Sequence, residues 1–161
     1  MLQNKYIKLV IISALIVILD QLTKLFIIKY LPLHHTIPMI SGVFNITHVQ
    51  NPGGAFGILA GLSPGMRTVI FLFISSLAVG LIFYFYMKTP RTHSWLAAGF
   101  ALIFGGAIGN LIDRIRFGVV IDFLDFYIRK YHWPAFNIAD SAISAGIAIF
   151  VFHLLFKKIP D

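Results

Sequence analysis

The sequence predicts an all-α integral membrane protein with four transmembrane helices, and three observations predict it. Of its 161 residues, 58% are apolar and 12% charged, against roughly 45–50% and about 25% in soluble domains. Four stretches are long enough to cross a hydrocarbon core of about 30 Å, which takes about 20 apolar residues. Basic residues gather at the ends of those stretches, where membrane proteins carry them. The net charge of +7 is therefore explained at membrane edges, and nucleic acid is not expected as a partner. The absence of cysteine excludes disulfides, thiolate metal sites and cysteine nucleophiles.

The first span runs from about 9 to 28, with Asp20 and Lys24 inside it. Lys5 and Lys8 precede it as in a signal peptide, but Asp20-Gln21-Leu22-Thr23-Lys24 follows the apolar run without a small-residue cleavage pattern. It reads as a retained span. Residues 31–66 then carry no Lys, Arg, Asp or Glu. Within them, residues 42–50 are rich in β-branched and aromatic types and predict a short strand. The turn signal Asn51-Pro52-Gly53-Gly54 ends it. The second span, 68–87, has no charge, and the third, 95–112, is rich in Gly and Ala. A polar loop over 113–136 holds three Asp and four basic residues before the fourth span, 138–156. The whole chain, 1–161, reads as one membrane-embedded domain. Lys5 and Lys8, Lys88 and Arg91, and Lys157 and Lys158 mark one side at three places, so both termini are expected in the cytoplasm.

The acids are few and all are Asp: Asp20, Asp113, Asp122, Asp125, Asp140 and the terminal Asp161. Asp20 and Lys24, at i, i+4 with the acid first, read as a structural ion pair facing the bundle. Gly105-Gly106-Ala107-Ile108-Gly109-Asn110 has the small residues that allow close helix approach in lipid. Asn110, Asp113 and Arg114 follow at the interface as a polar wall able to grip an extended chain. Asp122 sits between Val119-Val120-Ile121 and Phe123, a poorly hydrated setting that favours the neutral acid. Asp125 is a rival that spacing alone does not reject. Asp140, entering the fourth span, reads by itself as a helix cap or N-terminal charge. Paired with Asp122 at the same membrane edge, it makes a carboxylate dyad that shares one proton and can hydrolyse a peptide. The six His are scattered, and no metal-binding spacing occurs. A small transporter using Asp20 or Asp140 as a proton or cation site is the rival reading.

Taken together, Asp20-Gln-Leu-Thr-Lys24, Asn51-Pro-Gly-Gly-Ala-Phe56, Gly106-Ala-Ile-Gly-Asn110-Leu-Ile-Asp-Arg114, Val120-Ile-Asp-Phe123 and Phe136-Asn-Ile-Ala-Asp-Ser141 resemble the bacterial lipoprotein signal peptidase family. The resemblance implies an intramembrane aspartic endopeptidase that cuts prolipoproteins just before the diacylglyceryl-modified cysteine. It implies a small extracytoplasmic β-cradle and a surface helix beside the four spans. It makes Asp122 and Asp140 the catalytic pair, in preference to Asp125. Asn51, Gly53, Asn110, Arg114 and Asn137 would line the substrate groove, with Asp20, Lys24, Asp113 and Ala139 supporting the site. No cofactor or metal is implied. The implied partners are lipidated prolipoproteins, membrane lipids and the inhibitor globomycin, acting on a monomer in the inner membrane. Two positions depart from the family pattern: Gly54 stands for the more usual Ala, and Ile121 for Val.

Overall fold

A computed structural model describes residues 5–53 and 62–156. Residues 54–61, which include Gly54 and part of the 42–65 stretch expected to hold the cradle and surface helix, lie outside the described residues, as do Lys157 and Lys158. In chain order the elements are α1 (Lys5–Tyr30), β1 (Thr36–Ile40), β2 (Phe44–Asn51), α2 (Pro64–Lys88), α3 (Ser94–Phe117), β3 (Val120–Ile128), β4 (Tyr131–His132) and α4 (Ile138–Phe156). All four helices are long and apolar enough to cross a membrane. The strands form one antiparallel sheet in the order β1-β2-β3-β4.

Each helix boundary has a local cause. Ser63 caps α2, its hydroxyl accepting from the Met66 N–H at 3.3 Å, and Pro64 occupies the first turn, where its missing N–H costs nothing. Gly118 closes α3 in the left-handed conformation at φ 73°, a geometry glycine adopts without Cβ strain. This corrects one expectation: the third helix does not stop near residue 112 but runs to Phe117. Asp113, Arg114 and Arg116 end the apolar stretch without breaking the helix, because a hydropathy window detects lipid exposure rather than backbone geometry. The expected polar loop over 113–136 is thus a helical turn and then two strands, β3 and β4.

Lipid tails are as apolar as leucine, so helices associate in a bilayer through close packing and polar contacts. The middle helix supplies both. Ala97, Gly99, Ala101, Gly105, Gly106 and Gly109 of α3 are buried, whereas α1 and α2 expose Ile11, Leu15, Leu22, Phe73 and Leu77 as a lipid-facing surface. α2 packs on α3 through aromatic pairs, Phe83 with Phe104 at 5.8 Å and Phe85 with Phe100 at 6.2 Å between centroids. At one end of the bundle, Lys5 donates to the Met87 carbonyl at 2.8 Å and Lys8 to that of Ser94 at 2.7 Å. His93 and His153 meet there too, 4.9 Å apart. The sheet lies at the other end, where Ile27 of α1 and Leu31 just after it pack with Ile121 and Phe123 of β3.

The pairing of β2 with β3 contains a bulge. Ile46 opposes Leu124 and Val49 opposes Asp122, so Thr47 and His48 together face Phe123. One extra residue on one strand reverses the side-chain alternation beyond it. Asn45 and Asn51, an even number of residues apart, therefore point to opposite faces.

Candidate active site

The site forms where the ends of α1 and α3 and the start of α4 meet β2 and β3. Its base is a buried charge cluster. Lys24 Nζ lies 2.8 Å from Asp20 Oδ2, 2.8 Å from Asp113 Oδ2 and 3.0 Å from Asn110 Oδ1. An ammonium has three protons, and all three find acceptors. Asp20, Lys24 and Asp113 are 0%, 2% and 1% exposed, so the expected pair is in fact a triad with two carboxylates on one lysine. The remaining carboxylate oxygens reach outward. Asp20 Oδ1 accepts from the Ala139 N–H at 3.0 Å and Asp113 Oδ1 from Gln21 Nε2 at 2.9 Å, while Asp113 Oδ2, already on Lys24, also accepts from the Ile121 N–H at 3.1 Å. These bonds fasten the start of α4 to α1 and the start of β3 to α3. Gly109 permits the approach, since a Cβ there would come within 2.6 Å of Asp20 Oδ2.

Two side-chain amides lie above this base. The two protons of Asn137 Nδ2 are shared among three acceptors, Asp122 Oδ1 at 2.7 Å, the Ile121 carbonyl at 3.1 Å and Asn110 Oδ1 at 3.2 Å. Asn110 Nδ2 donates in turn to Asp140 Oδ1 at 2.7 Å. Asp122, Asn137, Asn110 and Asp140 thus form a continuous chain, carboxyl to amide to amide to carboxyl. Asn137 also caps α4 reciprocally: its Oδ1 accepts from the Asp140 N–H at 2.9 Å, and Asp140 Oδ2 accepts from the Asn137 N–H at 3.3 Å. That is a capping box built on Asn and Asp. Asp140 thus has the capping role read for it and is joined to Asp122 through the two amides.

The other oxygen of Asp122, Oδ2, accepts from Asn51 Nδ2 at 3.0 Å. Asn51 is held in turn by the Gly53 N–H, which donates to its Oδ1 at 2.9 Å, with Gly53 at φ 84°. Asp122 is 2% exposed. Burial, reinforced by the nearby Asp140 charge and opposed by the Asn51 and Asn137 hydrogen bonds, pushes its carboxyl up from 3.8 to about 7. The poorly hydrated setting expected from its neighbours has the expected direction.

Asp125 faces elsewhere. It lies three residues along β3, hence on the opposite face, where it accepts from Asn45 Nδ2 at 2.8 Å and pairs with His132 Nδ1 at 2.8 Å. Arg114 bonds the Asn110 carbonyl at 3.3 Å, lies 5.9 Å from the Phe71 ring centroid, and stands in the field of Asp140, Asp122 and Asp113. Ser141 is bonded to the Asn137 carbonyl at 2.8 Å. A cavity of about 440 Å³ opens beside Asp140, flanked by Trp133, Phe136 and Ser144. Among the described residues no group of three or more His, Asp or Glu could hold a metal ion.

Two contributors had no part of their own in the reading of the sequence. Gln21 Nε2 reaches Asp113 Oδ1 at 2.9 Å, the Gly109 carbonyl at 3.1 Å and Asp20 Oδ2 at 3.2 Å; its amide inside an apolar span was the available signal. Phe71 walls Gly53 and Arg114, and nothing distinguishes it from the other aromatics of its span.

Residues 12–156 match the family model described as Signal peptidase (SPase) II. The lipoprotein signal peptidase of Desulforapulum autotrophicum is 55% identical over 155 residues, 96% of both chains. That of Syntrophus aciditrophicus is 47% identical over 91% of both. A solved structure, described as a bacterial membrane enzyme, superposes with a TM-score of 0.82 at 33% identity, covering 93% of this chain and 94% of the other. Four apolar helices with a buried polar site, matched over nine-tenths or more of the chain by these sequences and by that structure, place this multi-pass membrane peptidase in the signal peptidase II family, to which the chain belongs.

Proposed function

We propose that this peptidase removes signal peptides from diacylglyceryl-modified prolipoproteins by an aspartic mechanism, cutting just before the lipidated cysteine. Asp122 and Asp140 act as the dyad. The observation that carries this reading is the amide bridge through Asn137 and Asn110, which ties both carboxyls to one rigid frame. The pair shares one proton. The buried setting of Asp122, which raises its carboxyl to about 7, supports Asp122 as the proton holder and leaves Asp140, in the first turn of α4, as the base. Asp140 takes a proton from water, whose oxygen attacks the scissile carbonyl. Asp122 hydrogen-bonds that carbonyl oxygen and the proton passes on to the leaving amine as the C–N bond breaks.

The substrate enters laterally with its acyl chains in the bilayer. Its backbone lies extended along Asn51, Gly53, Asn110, Arg114 and Asn137, because unsatisfied peptide groups are costly near lipid. The sheet end of the bundle faces away from the cytoplasm, and both termini lie on the cytoplasmic side. The enzyme acts as a monomer and is blocked by globomycin.

The test is cleavage of a lipidated prolipoprotein by purified, folded variants, with and without globomycin. Asp122→Asn and Asp140→Asn should each lose about 10²–10⁴-fold in rate, the usual worth of a positioned acid or base. Asp125→Asn should stay active. Full activity in either of the first two would overturn the dyad, and an inactive Asp125→Asn alone would reassign it.

A further inference from the structure

His48 lies in the β2 bulge, is 5% exposed, and makes three hydrogen bonds to the segment that follows α1. Its carbonyl accepts from the His34 N–H at 2.8 Å, its N–H donates to the His35 carbonyl at 3.1 Å, and ring Nδ1 meets the Leu31 carbonyl at 2.8 Å. A carbonyl only accepts, so Nδ1 carries the proton. His34 takes the left-handed conformation at φ 64° to complete this turn, which costs free energy in a non-glycine residue.

Ring Nε2 is buried and has no hydrogen-bond partner among the described residues. A buried acceptor left unmade is unfavourable, and Leu31, whose carbonyl meets Nδ1, belongs to the apolar cluster of Ile27, Ile121 and Phe123. An apolar side chain would suit that setting better than imidazole in every respect but one, the Nδ1–H bond to Leu31. That bond joins the strand to the residue that directly follows the helix carrying Asp20 and Lys24.

Three residues beyond His48 is Asn51. The bulge alone decides that Asn51 points to the face of Asp122, since an unbulged strand would turn it to the face of Asp125. We propose that His48 is a positioning residue for the dyad: its Nδ1–H bond to Leu31, just after α1, fixes the bulge that brings Asn51 onto Asp122. The assignment rests on Asp122 and Asp140 being the catalytic pair. The charged groups facing Asp122 are Asp140 from α4, Lys24 from α1 and Arg114 from α3; Asn51 is the contact that His48 controls.

The experiment compares His48→Asn with His48→Gln in the full chain, using a lipidated prolipoprotein as substrate. An Asn amide reaches the place of Nδ1, whereas a Gln amide reaches that of Nε2. His48→Asn should keep kcat within about threefold of the parent, and His48→Gln should lose about 10- to 100-fold in kcat, a larger change than any rise in KM from the displaced Asn51, as expected when the partner of a catalytic group is misplaced. In His48→Gln the upper apparent ionisation of the pH–rate profile should also rise, because the Asn51 bond favours the ionised form of Asp122.

The double variant His48→Gln/Asn51→Ala should be no slower than Asn51→Ala alone. His48→Phe, which keeps the ring and lacks the donor, should repeat the kcat loss and serves if the Gln variant does not fold. Equal kcat and equal pH profiles for the Asn and Gln variants would overturn the assignment, as would additive losses in the double variant. Asp122→Asn, run alongside, separates the two readings. If it is inactive while His48→Gln is normal, only the His48 assignment falls; if it is fully active, the dyad itself falls.

Discussion

Lys24→Met removes the one cation that Asp20 and Asp113 share and keeps most of the side-chain volume. At 2.8 Å and an effective dielectric of about 20, each pair attracts by about 6 kcal/mol before desolvation is counted. Most of that gain only offsets the cost of bringing three charges out of water. The asymmetry appears on deletion: removing one partner of a buried pair costs about 3–5 kcal/mol, because the remaining charge is left uncompensated. For a chain of 161 residues, at about 2–4 °C per kcal/mol, the unfolding midpoint should fall by about 6–20 °C. The chain has no cysteine and two tryptophans, so intrinsic fluorescence in detergent is the suitable assay and thiol-reactive dyes are blind. The variant Asp20→Asn/Lys24→Met/Asp113→Asn removes all three charges and should recover at least half of the loss. A Lys24→Met midpoint within about 2 °C of the parent, less than 1 kcal/mol on that scale, would refute the triad as a source of stability. A triple variant as unstable as the single would show that volume, not charge, governs the site.

Asn137→Ala should lower kcat by about 100-fold, since it breaks the amide bridge to Asp122, and should cost about 1 kcal/mol for the lost α4 cap; kinetics and thermal unfolding check the two parts separately. Asp122 should also shape stability against pH. Its carboxyl holds a proton up to about 7 when folded and releases it near 3.8 when unfolded, so between those values the folded state binds more protons and its stability falls as pH rises. Unfolding midpoints of Asp122→Asn should be flatter than the parent's across that window, and identical slopes would contradict the burial argument. Gly109→Ala should cost about 1–3 kcal/mol by overpacking, because its Cβ would press on Asp20 Oδ2 at 2.6 Å; an unchanged midpoint would mean that α1 and α3 can separate freely.

Much of this architecture is legible from local sequence. The four spans follow from apolar length, although α2 begins at Pro64, capped by Ser63, rather than at the expected 68. The i, i+4 pair of Asp20 and Lys24 shares a face on any helix. The end of α3 was misplaced because a hydropathy window loses a helix once it leaves lipid, although Gly118 marks its real stop. Most of the sheet was missed for a different reason. β1 is exposed along its whole length and so lacks the alternation that betrays a half-buried strand. β3 begins as a continuous buried run, which periodicity alone cannot separate from helix.

By itself the sequence determined a greasy chain with four spans, a short inventory of aspartates and a set of motifs whose order marks the family. The family motifs singled out Asp122 and Asp140, but only the tertiary structure gives the physical reason that Asp125 is turned away. Asp122 and Asp125 sit in the same apolar run, yet odd spacing sends them to opposite faces of β3, one toward Asn137 and Asn51 and the other toward Asn45 and His132. The β2 bulge sends Asn51 after Asp122, and Gln21 and Lys24 are joined to Asp113 across two helices. The physical reason is range. Hydropathy, capping and i, i+4 pairing act within a few residues, whereas strand register and charge neutralisation are settled between segments that meet only when the chain has folded.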